Sequence, residues 1–282
     1  MNAKRVISLL LTIMMCVGLL GSIVLPAAAA SDVYIIDPSG TDGESGSVDC
    51  SGVTVRGTVY TSYEQFEANY TGSGADVYFT SGEFYGLTVT KPVNIYGAKK
   101  GIDPNVKGVD KLQPWTLNDK RGNGETVFTG KVLISASVQK DITVDGITVD
   151  QAGYLKVENY LSDVVVTLRN IVVGENCSRT DYFLNASAPV NVVPSAGNYY
   201  MDLVLQNVYA GDYKGTGHFI YFISAQNTLL DNIYFSNNKA TFLQTSAASK
   251  VGDHFVMRNS FLYNNLPVSD LTIWHRFPSI GM

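Results

Sequence analysis

The chain has 282 residues, 45% of them hydrophobic and 16% charged, with a formal charge of −5 and three cysteines. That apolar content supports a sizeable core, while the few cysteines exclude a disulfide-stapled scaffold. The mildly acidic balance excludes a nucleic-acid binder held by phosphate contacts, and would weakly repel polyanions unless a cation bridged them.

In chain order, the first 30 residues carry Lys4 and Arg5, an apolar run from Val6 to Leu25, then Pro26 and four alanines. A positive end, an apolar middle and a small-residue exit form the pattern of a secretory signal peptide, with cleavage expected after Ala30 and a mature start near Ser31. Removing Lys4 and Arg5 takes the formal charge from −5 to −7. Cys16 follows Met14 and Met15 without the small residue expected just before a lipidated cysteine. No later apolar run is long enough to span a bilayer. The expected destination is secreted or cell-surface, outside the cytoplasmic membrane.

Residues 31–60 are rich in Gly, Ser, Thr and Asp, alternate only around Val53–Gly57, and read as an irregular N-terminal strand and cap. Ser62 three residues before Gln65 is a capping-box signature, with Phe66 and Tyr70 on one face of a short helix. Residues 99–125 concentrate Lys, Gly, Asp, Asn and Pro and are expected as a long loop interrupting a regular array, with Trp115 in it. Cys50 and Cys177 are the cysteines left after residue 30, and whether they pair stays open.

From residue 142 the chain repeats. Segments 142–149, 166–173, 203–210, 228–235 and 255–262 align on Gly146, Asn170, Asn207, Asn232 and Asn259, spaced 24, 37, 25 and 27 residues apart. Two places before each pivot stand Val144, Leu168, Leu205, Leu230 and Met257, and one place after stand Ile147, Ile171, Val208, Ile233 and Ser260. Apolar residues at every second place predict strands with one face inward. Gly and Asn are the residue types that most readily turn a left-handed corner, so each unit reads as strand, corner, strand. A third strand is expected between pivots, at residues 154–157, 190–193, 219–223 and 241–244. Three short strands in about 25 residues predict stacked coils that cannot bury their apolar face alone. The interval of 37 implies an insertion between Gly174 and Tyr200.

Residues 75–97, ADVYFTSGEFYGLTVTKPVNIYG, preceded by the helix signature, resemble the opening coils of pectate-lyase-like proteins over roughly residues 60–265. That resemblance implies an all-β, right-handed parallel β-helix over residues 61–282, plugged by the short helix, with no recognisable closing cap before Met282. The scaffold hosts lyases, hydrolases, esterases and adhesins, so it does not choose a reaction. The Asn-Thr-Asp, Asp-Asp, Gly-His-Gly and Arg-x-Lys elements of polygalacturonase-like hydrolases are absent, with Gly217-His218-Phe219 the nearest approach. Of the Arg-x-Pro-x-x-Arg element of calcium-dependent pectate lyases, Arg276 and Pro278 are present and Gly281 replaces the second arginine.

Two outward columns supply the candidate residues. Two places after the pivot, Tyr209, Tyr234 and Phe261 fall on consecutive coils as a ligand-binding ladder whose rings suit the apolar faces of sugars. Cover by a flanking loop, or stacking among themselves, is the competing expectation. One place before the pivot, Asp145 meets Arg169 and Asp231 meets Arg258, either as a charge ladder or as catalytic groups of a lyase. Asp141, Asp145 and Asp150 are too far apart on an extended strand to share a cation, and His218, His254 and His275 show no metal-ligand spacing. No metal or other cofactor is expected, calcium entering only with a lyase. The expectation is a secreted or surface scaffold, carbohydrate-binding or adhesin-like, with an extracellular polysaccharide or host or cell-wall glycan as partner. A polysaccharide lyase or glycoside hydrolase acting on acidic polysaccharide is the alternative, and a structural spacer the second.

Overall fold

The computed structural model describes residues 32–110, 112–158, 163–186, 201–222, 225–245 and 254–265. Among them are 22 strands and one helix. The chain opens with β1 (Val33–Ile36), a hairpin of β2 (Ser45–Cys50) and β3 (Val53–Tyr60), and helix α1 (Tyr63–Asn69). The array then runs through β4 (Ala75–Phe79), β5 (Gly82–Phe84), β6 (Leu87–Val89) and β7 (Val93–Tyr96), with the short β8 (Asn105–Val106) and β9 (Thr116–Leu117) inside the predicted loop. It continues with β10 (Thr126–Phe128), β11 (Lys131–Ile134), β12 (Ile142–Asp145), β13 (Thr148–Val149), β14 (Tyr154–Val157), β15 (Val165–Val173) and β16 (Tyr182–Ala186). The last elements are β17 (Met201–Gly211), β18 (His218–Phe222), β19 (Ala225–Ser236), β20 (Thr241–Thr245), β21 (His254–Arg258) and β22 (Phe261–Tyr263).

The architecture is all-β and solenoid-like. One 14-stranded sheet stacks β1, β4, β7, β12, β15, β17, β19 and β21 in parallel, and carries the strands beyond the corner, β5, β10, β13 and β22, on its other half. A second sheet of six strands stacks β6, β11, β14, β16, β18 and β20, also in parallel. Register places Ile95, Val144, Leu168, Leu205, Leu230 and Met257 in one inward column. From Ile95 to Leu230 that column is essentially sealed from solvent. The third strand expected at 190–193 lies outside the described residues, and its place in the second sheet is filled by β16 instead. Both stretches are short apolar runs, and period alone does not choose between them.

Every pivot turns its corner in the left-handed region: φ is 78° at Gly146, 54° at Asn170, 55° at Asn207, 60° at Asn232 and 52° at Asn259. The corner shifts the alternation by one place, so that in β17 Leu205 and Val208 both face inward with Gln206 and Asn207 between them. The asparagines also bond to one another. Asn170 Nδ2 donates to Asp145 Oδ1 (2.6 Å), Asn207 Nδ2 to Asn170 Oδ1 (2.8 Å) and Asn232 Nδ2 to Asn207 Oδ1 (2.9 Å). An amide ladder of this kind repeats along stacked strands because each carboxamide both donates and accepts. Gly146 departs from Asn for steric reasons: a Cβ there would sit 2.2 Å from the Lys100 nitrogen. A second corner, five residues after each later pivot, holds Asp212, Asn237 and Asn264 at positive φ, with Asn264 Nδ2 donating to Asn237 Oδ1 (2.8 Å).

The first end of the stack is closed. Ser62 caps α1 by accepting the Gln65 N–H (3.2 Å), and Phe66, fully buried, meets Tyr34, Tyr60, Tyr63 and Tyr70 ring to ring. Residues 32–60, within the stretch read as irregular, hold three ordered strands: β1 joins β4 in parallel, while β2 and β3 form an antiparallel hairpin that gathers Val48, Cys50 and Val59 with Tyr78 and Tyr96 in a small second core. At Gly57 a Cβ would lie 2.5 Å from the Val33 carbonyl oxygen, so the close approach of β3 to β1 requires the glycine.

Candidate functional site

The column one place before the pivot forms as paired. Arg169 Nε donates to Asp145 Oδ2 (2.9 Å), and Arg258 Nη2 to Asp231 Oδ2 (3.1 Å). Gln206 separates the two pairs. Asp145 is fully buried, and its carboxylate also accepts the Gly101 N–H (3.0 Å) and the Asn170 amide. With its oxygens committed to three internal donors and no path to solvent, it is placed to hold the corner rather than to take a substrate proton. Asp231 sits nearer the surface. Burial pushes its carboxyl upward, but hydrogen bonds from Arg258 and Asn259 and the charges of Arg258 and Lys107 outweigh that and hold it below the usual carboxylate range.

Residues 99–110 and 112–125 lie along the corner as a strap. Arg121 is 3% exposed and places all five of its N–H donors. It grips Glu125 bidentately (2.7 and 2.9 Å) and reaches the carbonyls of Ile102 (3.1 Å), Asn170 (2.8 Å) and Ile147 (3.1 Å). Glu125 takes two further donors, Thr148 Oγ1 (2.9 Å) and Gly122 N (3.0 Å). Farther along, Asn105 Nδ2 donates to the Asn232 carbonyl (2.8 Å) and the Val208 carbonyl (3.3 Å), while Asp103 Oδ2 accepts from Asn232 Nδ2 (2.8 Å). The strap thus brings donors to carbonyls at and beside the left-handed corners, that of Ile147 in addition to its bond from the Val172 N–H (3.1 Å).

The strap decides the fate of the aromatic ladder. Tyr209, Tyr234 and Phe261 do align across coils, with ring centroids 5.0 and 6.0 Å apart. Trp115, from the strap, lies flat over Tyr234 (5.6 Å) and Phe261 (5.9 Å), and Lys107 stands 5.2 Å from the indole. Tyr234 is consequently 2% exposed, and burial raises the Tyr209 phenol above its usual range. Of the three rings, the strap covers Tyr234, while Tyr209 and Phe261 stay part-exposed.

The second sheet turns a different face outward. Tyr154, Tyr182, Tyr221, Lys156, Asn185 and Gln244 are all part-exposed there. Register sets Lys156, Asn185, Tyr221 and Gln244 in one column. Tyr182 stacks on Tyr221 (4.4 Å) and on His218 (5.8 Å), and the Arg179 guanidinium sits 4.3 Å over Tyr154. Stacked between neighbouring strands, the two tyrosines spend ring faces on each other and keep their edges part-exposed, while the Lys156 ammonium pairs with Glu158 (2.5 Å). Burial lowers the His218 pKa, because a desolvated imidazole favours its neutral form. These aromatics escaped the sequence reading because they lie outside the pivot segments; their signal is a tyrosine on the outward place of successive third strands.

Other singled-out groups serve their own coils. Asp141 accepts the Val165 N–H (2.9 Å) and Asp150 the Asn176 N–H (3.0 Å), and among the described residues no three His, Cys, Asp or Glu converge as a metal site. Cys50 and Cys177 are free and buried, each with its sulfur 3.6 Å from a backbone carbonyl oxygen. Burial raises both thiols, to about 11 for Cys50 and about 12 for Cys177. His275 lies outside the described residues. Among the described residues no helix is long and apolar enough to cross a membrane. No protein-family profile, curated protein or solved structure matches this chain.

Proposed function

We propose that the chain is a secreted or cell-surface protein, a right-handed parallel β-helix of the pectate-lyase-like kind, that binds carbohydrate as an adhesin-like scaffold. The export-like leader, the three-strand units, the left-handed asparagine corners and the helix plug support the scaffold. The observation that carries the binding role is the contrast between outward faces. On the first sheet the strap lays Trp115 flat on the ladder rings, whereas on the second, among the described residues, Tyr182 and Tyr221 stack only within their own sheet and stay part-exposed beside Gln244 and the Lys156–Glu158 pair. Such a row of hydrogen-bonding groups on rigid strands suits a polyhydroxyl chain, whose hydroxyls donate and accept in turn.

The test is retention of the purified chain on neutral, pectic, alginate and glycosaminoglycan polymers, with and without calcium, while absorbance from new double bonds is followed. Retention weakened by Tyr182→Ala and Tyr221→Ala, and untouched by Arg258→Ala, is the expected result. Calcium-dependent growth of absorbance lost in Arg258→Ala would replace this reading with a lyase. Failure to be retained on any polymer would leave a spacer.

A further inference from the structure

Between the β2–β3 turn and the strap lies an open cleft of about 530 Å³, lined by Asp49, Ser51, Ser81, Lys99, Lys120 and Gly124 among others. It is separate from the second-sheet strip, none of whose residues lines it. We propose that this cleft binds a tetrahedral oxyanion, a phosphate or sulfate group held by the ammonium groups of Lys99 and Lys120.

The argument begins with two neighbouring cations that are spent. Lys100 donates to the Tyr78 hydroxyl (2.7 Å) and lies over the Tyr96 ring (3.5 Å), and Arg121 is consumed by its five internal bonds. These contacts fix the backbone at 100 and 121, one residue from each cleft lysine. Lys99 and Lys120 themselves have no ion-pair or ring partner among the described residues. The Lys99 ammonium is directed across the cleft: a Cβ built on Gly124 would lie 3.9 Å from Lys99 Nζ and 4.0 Å from Ser81 Cβ. A larger residue at 124 would fill that space, and its φ of +66° keeps the position with glycine.

Asp49 is the single carboxylate in the lining, and one of its oxygens already accepts the Gly52 N–H (2.7 Å). The cleft is thus locally cationic on a chain whose formal charge is −5. Arginine forks suit planar carboxylates, whereas lysines act as point charges that suit the several equivalent oxygens of a phosphate or sulfate. Both cleft cations are lysines, and the Ser81 side chain adds a hydroxyl on the same wall.

Calorimetric titration of the purified chain with inorganic phosphate, inorganic sulfate, glucose 6-phosphate and glucuronate tests the assignment. Saturable binding of the tetrahedral ions, weakened roughly ten-fold or more by Lys99→Ala or Lys120→Gln, is expected, with attenuation as salt rises. Asp49→Asn removes the opposing charge while keeping the acceptor for Gly52, and is expected to tighten binding. Stronger binding of glucose 6-phosphate than of free phosphate would place the group on a larger ligand, and the reverse would mark a free ion; either supports the site. Absence of saturable binding, preference for glucuronate, or binding indifferent to both lysine substitutions would overturn it. Tyr221→Ala should leave these titrations unchanged, which separates this site from the carbohydrate strip.

Discussion

A single asparagine at a corner performs two tasks that separate cleanly by substitution. Asn207 holds φ at 55° and links Asn170 to Asn232 through its carboxamide. Asn207→Ala loses the amide links and forces a Cβ residue without local hydrogen bonding into the left-handed region, at a cost of about 2–3 kcal/mol. Asn207→Gly loses the links alone, and chemical denaturation should show it roughly 1 kcal/mol more stable than the alanine variant. Asp231 makes a prediction about acid. Its carboxyl is held below the usual range in the fold, so its contribution is present above the unfolded value and is lost as pH falls through the lower, folded value. Thermal melts should therefore show Tm falling on acidification below about pH 4, with a shallower fall in Asp231→Asn. A Tm profile identical in the two proteins would remove Asp231 from the acid response.

At the scale of elements, the strap matters more to stability than a surface loop normally does. Arg121→Met leaves Glu125 buried without its partner and removes one donor each from the carbonyls of Ile147 and Asn170, and urea unfolding should record a loss of about 3–5 kcal/mol. Replacing Arg121 and Glu125 together by apolar residues should recover part of that loss, because no unpaired charge remains. The corners were legible in the sequence because few residue types accept positive φ, and the inward columns because a period of two survives in strands of any length. The strap's course was not: the acceptors that Arg121 and Asn105 reach on the coils lie 26 to 127 residues away, and no local pattern encodes such a partner. Trp115 could be singled out as a loop aromatic, but its seat on Tyr234 and Phe261 depends on that same long return. The ion pairs Asp145–Arg169 and Asp231–Arg258 followed from counting coils, whereas the burial that makes Asp145 a structural group comes from the strap's Gly101 and from Asn170, one of them beyond the repeat.

For the whole molecule, stacking makes each turn depend on its neighbours, so stability is graded along the axis. The first turns are sealed by α1 and its aromatic cluster. In β21 and β22 the inward column is open: Phe255 and Leu262 are 40% and 45% exposed. Hydrogen exchange should find the amides of β15 and β17 slowest and those of β21 and β22 markedly faster, and uniform protection across the stack would contradict a graded solenoid. The strap adds a constraint in time. Its donors at Asn105 and Arg121 leave a ribosome or an export pore well before the carbonyls they serve at Asn232 and Asn170, by 127 and 49 residues. Emerging from its amino end, the chain has to build the early turns with the strap hanging free and its indole bare, and only the arrival of the corner at Asn232 lets the latch close.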